Sequence, residues 1–237
     1  MSGKLAFVLS MIIFGAVGVF AKYIPLFSSE IAFWMSLIGA CFLIVIFIYI
    51  KESLTKRSIL KNKWRLILSS VALCGNWIFL FQAYKETTIA NAALSYYFAP
   101  VLVICLSPIV LKEKLVSRKI LYVCVAIFGL FLIVQSQGTG DSKHFIGIVY
   151  GLIAACFYTA LTFTNKCICG LKEPENTLAA FFLCFYILGT TGFQVMTLSF
   201  KSVLLLMTLG IVHAGVGFLL FFWGMSKLKG QSIAILS

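Results

Sequence analysis

The chain has 237 residues, of which 62% are hydrophobic and only 11% are charged, and its net charge is +12. Soluble domains carry about 25% charged residues, so a chain of this composition must hold much of its apolar surface against lipid rather than water. The basic residues lie between apolar runs and form no basic face, which argues against a nucleic-acid-binding module. The composition therefore predicts an integral membrane protein with the lipid bilayer as its solvent.

Eight long uncharged runs follow one another along the chain, and each is long enough to cross about 30 Å of hydrocarbon as a helix. Backbone amides have no partner in lipid, so a spanning segment must pair its own, and runs this continuously apolar favour helices over barrel strands. The runs cover residues 5–21, 31–50, 66–84, 87–111, 120–140, 145–165, 176–200 and 202–226, and a ninth run begins after residue 230.

The connections between these runs alternate in charge. Fifteen of the 19 basic residues lie at the N-terminus and in residues 51–65, 112–119, 166–175 and 227–229. Loops rich in Lys and Arg stay on the cytoplasmic side of a membrane. The pattern therefore predicts a multi-pass protein of the cell membrane with its N-terminus in the cytoplasm.

One stretch of the chain occurs twice. GNWIFLFQAYKETTIANAALS, from residue 75, aligns at an offset of 142 with GVGFLLFFWGMSKLKGQSIAILS, from residue 215, so that Gly75 pairs with Gly217 and Phe79 with Phe221. Residues 1–140 hold five predicted helices, and an odd number inverts the second unit, residues 141–237, in the membrane. The alignment ends early in the fourth helix of that unit, which predicts that the second repeat is incomplete at the C-terminus.

The stretch from Gly75 to Leu115 resembles the drug/metabolite transporter superfamily, specifically its EamA family. The resemblance rests on AYKETTIANAAL at 83–94, on Pro100 within the next helix and on LKEKL at 111–115. It implies a ten-helix fold of two inverted five-helix repeats that moves small metabolites, amino acids among them. It also implies a cavity lined by the first, third and fourth helices of each half.

One position departs from the family pattern. Family members often carry an arginine in the second helix, within a pattern F-x-R-x-x-x-G, whereas FWMSLIG at 33–39 places Met35 there. This departure keeps a second interpretation open, in which the chain is a non-transporting assembly or regulatory protein that retains the transporter fold.

Polar and aromatic residues cluster on four of the predicted helices. A pocket for a small metabolite needs apolar walls and a few polar anchors, although the same side chains also serve as interhelical hydrogen bonds. Tyr96 and Tyr97 are about 100° apart on a helix, so we expect at most one of them to point straight into a cavity. The candidate substrate-binding residues are Asn76, Trp77, Gln82, Ser95, Tyr96, Tyr97, Tyr158, Thr162, Asn165 and His213.

Two prolines lie within the predicted fourth helix. Pro100 and Pro108 each remove a backbone hydrogen bond and bend the helix axis, which makes them candidate kink or gating positions as well as ordinary structural kinks. Lys22 ends the first helix and either extends outward to the interface or serves a gate there.

The sequence holds no constellation for catalysis. All seven acidic residues lie at helix ends or in connections, and the chain has no Ser-His-Asp, metalloprotease or phosphate-loop pattern. Cys167 and Cys169 form a lone C-x-C pair, which is insufficient for a metal site. We therefore expect no enzyme activity, metal or cofactor, and predict a secondary transporter for a small neutral or zwitterionic metabolite, with export favoured over import.

Overall fold

The computed structural model describes residues 2–50, 56–112, 142–168, 173–189 and 199–228, with isolated positions at 125, 128, 129 and 132. Helices joined by short turns account for these residues. In chain order they are α1 (Gly3–Gly15), α2 (Val17–Lys22), α3 (Ser28–Ile50), α4 (Lys56–Lys61), α5 (Lys63–Glu86), α6 (Ile89–Tyr96), α7 (Ala99–Val110), α8 (Ser142–Cys167), α9 (Glu173–Gly189), α10 (Phe200–Thr208), a π-helical segment (Leu209–Gly217) and α11 (Phe218–Ser226).

Six stretches of the described chain are long and apolar enough to cross a membrane. They are Gly3–Lys22, Ser28–Tyr49, Lys63–Glu86, Ile89–Val110, His144–Cys167 and Phe200–Ser226. They match the first, second, third, fourth, sixth and eighth predicted runs, and a shorter apolar helix, Thr177–Gly189, falls in the seventh. The prediction of an all-α integral membrane protein is confirmed. The run at 120–140 lies outside the described residues apart from four positions, so the number of helices in each repeat stays a prediction.

Hydroxyl side chains start several of these spans. The Ser2 side chain accepts a hydrogen bond from the Leu5 amide, and Thr88 and Ser199 do the same for Asn91 and Ser202. The first amides of a helix have no intrahelical acceptor, so such caps satisfy donors that lipid would leave unpaired. The α5–α6 connection is only two residues long, and its Thr87 amide closes α5 by donating to the Ala83 carbonyl.

Three of the six spans are discontinuous. The first is divided at Ala16, the fourth at residues 97–98, and the last contains the nine-residue π-helical segment. Pro100 lies in the first turn of α7, where its missing amide hydrogen costs no helical bond. Pro108 lies inside α7.

Helix α5 is the centre of the bundle and packs most extensively against α8, with α9, α3, α2 and α6 around it. Trp77 on α5 meets Phe218 edge to face at 5.3 Å between ring centroids and lies 5.7 Å from the Phe181 ring of α9. These contacts join the first described half of the chain to the second around one core.

Glycine allows α1 and α11 to approach closely. A Cβ atom at Gly224 would lie 2.8 Å from the Phe7 Cβ atom and 2.9 Å from both the Phe7 nitrogen and the Gly3 oxygen. Backbone atoms cannot move aside as a rotamer can, so this crossing requires glycine. It sets the distance at which Phe14 of α1 meets Phe218 and Phe221 of α11, at 4.9 and 5.9 Å between centroids.

We therefore expect Gly224→Ala to destabilise the protein by about 1–3 kcal/mol through overpacking, and to lower its thermal midpoint in detergent. The control is Gly189→Ala, because a Cβ atom there has ordinary contact at 3.7 Å with Phe33. The control should leave the midpoint unchanged or raise it. Equal midpoints for the two variants would contradict the close α1–α11 crossing.

Candidate functional site

A cavity of about 100 Å³ lies at the centre of the bundle, between α1–α2, α3, α5, α6–α7, α8 and α11. Its described lining is aromatic or aliphatic except for one amide, that of Asn76, and contains no charged side chain. Eight aromatic rings form much of the wall: Phe14, Trp77, Tyr84, Tyr96, Tyr97, Tyr158, Phe218 and Phe221. Apolar and aromatic walls with a few polar groups are typical of small-molecule sites.

Five of the candidate binding residues line this cavity: Asn76, Trp77, Tyr96, Tyr97 and Tyr158. Both neighbouring tyrosines do so, whereas helical geometry led us to expect one at most. The reason is local, because α6 ends at Tyr96 and Tyr97 has left helical geometry, with φ −66° and ψ 2°. Pro100 also lines the cavity, one turn after this break.

Asn76 is the polar centre of the site. Its amide nitrogen donates to the Ala154 carbonyl of α8 at 3.0 Å and to the Tyr96 hydroxyl at 3.3 Å. A carbonyl only accepts, so the bond to Ala154 fixes which end of the side chain is nitrogen. The amide oxygen accepts no hydrogen bond from any described residue, although Asn76 is only 3% exposed. It therefore remains an available acceptor beside the Tyr96 hydroxyl.

The rings around this amide pack edge to face. Tyr96 meets Tyr158 at 5.7 Å with an interplanar angle of 77°, and Tyr158 lies 6.0 Å from Phe221. Aromatic pairs prefer such geometry because the positive edge of one ring faces the negative face of the next. The wall is thus held by ring contacts from α6, α8 and α11.

Two candidates on α5 and α6 have partners away from the cavity. Gln82 accepts a hydrogen bond from the Ser28 hydroxyl at 2.8 Å and donates to the Glu86 carboxylate at 2.7 Å. The Ser95 hydroxyl is fully buried and donates to the carbonyls of its own helix, where it packs against Gly151 of α8. Ser95 thus belongs to the α6–α8 contact.

Three candidates in the second half also lie outside the described lining. The Thr162 hydroxyl donates to the Tyr158 carbonyl at 2.9 Å, and the Asn165 amide accepts from Ser69 of α5 at 3.1 Å. His213 is buried in the π-helical segment, with Nδ1 3.3 Å from the Thr208 carbonyl oxygen and its ring edge-on to Phe20. Among the described residues, no group of three His, Cys, Asp or Glu side chains could hold a metal ion.

Two of the three interruptions of the spanning helices lie at the cavity. Gly15 and Val17 flank the break at Ala16, and Tyr96 and Ala99 flank the break in the fourth span, and all four residues line the cavity. Irregular backbone at membrane depth is tolerated where it faces protein or a cavity. The site is therefore bounded by backbone groups as well as by side chains.

Lysines bridge the connections at the end of the bundle that carries Lys22. The Lys22 ammonium donates to the Thr87 carbonyl at 2.9 Å, and Lys85 donates to the Leu26 carbonyl. The Thr87 hydroxyl in turn lies 3.0 Å from Nδ1 of His144 on α8. We call these bonds the Lys22–Lys85 network. Beneath it lie Tyr84 and Ile89 of the cavity wall.

The sequence did not single out several lining residues, notably Met11, Phe14, Tyr84, Phe218 and Phe221. They lie in apolar runs, where the residues that face a cavity are of the same types as those that face lipid. The internal repeat carried one signal, since its offset of 142 pairs Phe218 with the candidate Asn76. Met35, noted as the position of the family arginine, also lines the cavity.

Comparison with known proteins places the chain in a family. The EamA-like transporter family matches residues 1–135. An uncharacterized transporter of Bacillus subtilis, YxxF, is 30% identical over 237 residues, which cover 97% of this chain and 75% of the relative. An uncharacterized transporter of Archaeoglobus fulgidus is 31% identical over 160 residues, 65% of this chain and 55% of that protein.

The fold has a solved counterpart. A crystal structure with 18% sequence identity superposes with a TM-score of 0.71 and covers 98% of this chain and 83% of its own. At that identity the likeness shows the fold alone. Together with the family match, it confirms the resemblance inferred from the repeated stretch. The chain belongs to the EamA-like transporter family, a family of multi-pass membrane proteins that carry small molecules across the bilayer.

Proposed function

We propose that this chain is a secondary transporter that moves a small neutral or zwitterionic metabolite, an amino acid or related compound, across the cytoplasmic membrane by alternating access. The observation that carries the proposal is the central cavity, whose described walls are aromatic and hold no charged side chain. The family resemblance favours export over import. The sorting of basic residues supports a cytoplasmic N-terminus.

The charge of the cavity supports the substrate class. An ion with a net charge would leave water without a side chain of opposite charge to compensate it, which is costly in a low-dielectric site. The opposite charges of a zwitterion can instead meet the partial charges at helix ends. Helix α6 ends and α7 begins in the cavity wall, at Tyr96 and Ala99, which supports this mode of binding.

Asn76 and Tyr96 supply complementary groups next to one another. The Asn76 oxygen can accept a hydrogen bond from an amine or ammonium, and the Tyr96 hydroxyl can donate one to a carboxylate or carbonyl. A head group with a donor and an acceptor on neighbouring atoms satisfies both. The surrounding rings then contact the rest of the substrate, and Trp77 and Phe218 offer large apolar faces to it.

Alternating access requires a closure at each end of the cavity. The Lys22–Lys85 network supports a closure at one end, because it joins the α2–α3 and α5–α6 connections to α8 across the cavity roof. At the other end, Gly224 packs against Phe7, and Lys166 donates to the Met225 and Leu228 carbonyls. A cycle that breaks one set while keeping the other would expose the cavity to one side at a time.

One observation favours the alternative function, a membrane assembly or regulatory protein without transport. Met35 occupies the position where many relatives have an arginine, and it is buried in the cavity wall. If that arginine is essential in relatives, its loss would leave the fold without its activity. The two functions differ in one measurable outcome, which is flux.

We expect Asn76→Ala to lower export about three- to tenfold, the effect of one lost substrate hydrogen bond. The measurement compares small polar metabolites in the medium of cells that make the chain or the variant at equal membrane abundance. Asn165→Ala is the matched control, since it removes a half-buried amide from α8 at a position outside the cavity lining.

The Asn165→Ala control should still export the same compound as the unaltered chain. If both variants match the unaltered chain and no compound differs from cells without it, the alternative function is favoured. If a compound is instead depleted from the medium in the same residue-dependent manner, the protein is an importer.

We further expect the double variant Lys22→Met, Lys85→Met to open the roof of the cavity. The test introduces Ala93→Cys in the cavity wall and measures the rate at which this thiol reacts with a hydrophilic thiol reagent in detergent. The reaction of the native cysteines is measured on the same chain without Ala93→Cys and is subtracted. The rate should rise several-fold, because two lysine bonds between the connections are lost. Lys201→Met, which changes an exposed lysine, serves as the control, and equal rates in all variants would contradict this closure.

A further inference from the structure

A second depression lies on the outside of the bundle, between α4, α5 and α9, with a volume of about 320 Å³. Ile59 of α4 and Ile67 of α5 form one wall, and Leu178 and Phe182 of α9 form the other. Lys63, at the start of α5, is the one charged residue of its described lining. Ile67 and Phe182 are 40% and 48% exposed, so the groove is open at the surface.

The mouth of this groove is basic. Lys61, Lys63 and Arg65 lie around the start of α5, and their side chains are exposed. Trp64 is 73% exposed, with the Lys63 ammonium 5.6 Å from its ring centroid. Tryptophan favours the membrane–water interface, so this mouth lies at headgroup depth and the groove runs from it into the hydrocarbon.

The carboxylate of Glu175 on α9 does not reduce this charge at the groove surface. Glu175 lies one turn before Leu178 and is only 1% exposed. The groove therefore combines an apolar trough with a cationic rim at one end.

We propose that this groove binds one anionic phospholipid, with an acyl chain between α5 and α9 and the headgroup phosphate at Lys63. Clusters of lysine and arginine at the membrane surface attract anionic headgroups, and basic pockets between spanning helices bind them specifically. A water-soluble anion would not use the apolar trough, and a neutral lipid would not use the cationic rim.

A second copy of the chain fits the groove less well. A two-fold dimer through this face would be isologous and would place the two basic rims against each other. Like charges that meet at an interface repel, whereas a phospholipid brings the opposite charge. The proposed site is also consistent with a cytoplasmic location for residues 51–65, the leaflet side where anionic lipids give a negative surface potential.

The test measures lipid binding to the purified chain in neutral detergent by native mass spectrometry. Dioleoyl phosphatidylglycerol and dioleoyl phosphatidylcholine are added in turn at equal concentrations. We expect one phosphatidylglycerol to bind at least about fivefold more tightly than phosphatidylcholine, and Lys63→Gln to reduce that preference about fivefold, the effect of one cation near the membrane surface. Lys201→Gln, which changes an exposed lysine at the start of α10, is the control and should change nothing.

A second variant tests the apolar part of the site. Ala179→Phe places a ring in the trough and should weaken both lipids alike without removing the preference, because it leaves the cationic rim intact. Quenching of Trp64 by brominated phosphatidylglycerol in mixed vesicles, compared with the chain carrying Trp64→Phe, reports the same site without detergent. It should exceed quenching by brominated phosphatidylcholine and fall with Lys63→Gln.

The proposal is overturned if the two lipids bind equally, if Lys63→Gln keeps the preference for phosphatidylglycerol, or if the chain appears as a lipid-free dimer that Ala179→Phe dissociates. None of these outcomes depends on transport, so they are distinct from a failure of the proposed function.

Discussion

The need to pair every backbone amide in lipid governs this structure. It makes each spanning segment a helix, and it restricts any interruption of a helix to places where the freed groups meet protein or a cavity. The breaks at Ala16 and at residues 97–98 both obey this restriction, since the residues on either side line the central space. The cavity and these two breaks therefore depend on each other. The cavity lies where the two helices are interrupted, and the interruptions are tolerated because they face the cavity.

The polar side chains of the bundle follow the same constraint. Asn76 uses its amide hydrogens on α8 and Tyr96, which leaves its oxygen towards the cavity, while Thr162 bonds to its own helix and Asn165 pairs with Ser69 of α5. A polar group in an apolar bundle thus either serves helix packing or faces the cavity. In the proposed transporter, the few that face it would give the site its selectivity, because the aromatic walls alone distinguish poorly between small molecules.

The amino-acid sequence was sufficient for the fold class, because hydrophobic length and backbone pairing are properties of each segment by itself. It was insufficient for which face of each helix looks inward, as Phe14, Tyr84 and Phe218 show, since rotation about the helix axis is fixed by packing between distant segments. The break before Pro100 had a local cause, because the ring of a proline inside a continuous helix clashes with the carbonyl four residues earlier, here that of Tyr96. Residue type located the interruption, but only the tertiary structure shows that both adjacent tyrosines reach the same space.

The two-residue turn between α5 and α6 has a mechanical consequence. Thr87 closes α5 and contacts His144, and Thr88 caps α6, so this turn has no slack to absorb a relative displacement of the two helices. In the proposed transport cycle, the two helices would therefore move together as a rigid hairpin. Movement along the fourth span would be taken up further on, at Tyr97 and Phe98, where regular α-helical geometry is interrupted. The α5–α6 hairpin would thus be a rigid unit and residues 97–98 a hinge, and Tyr97 of this hinge lies in the cavity wall.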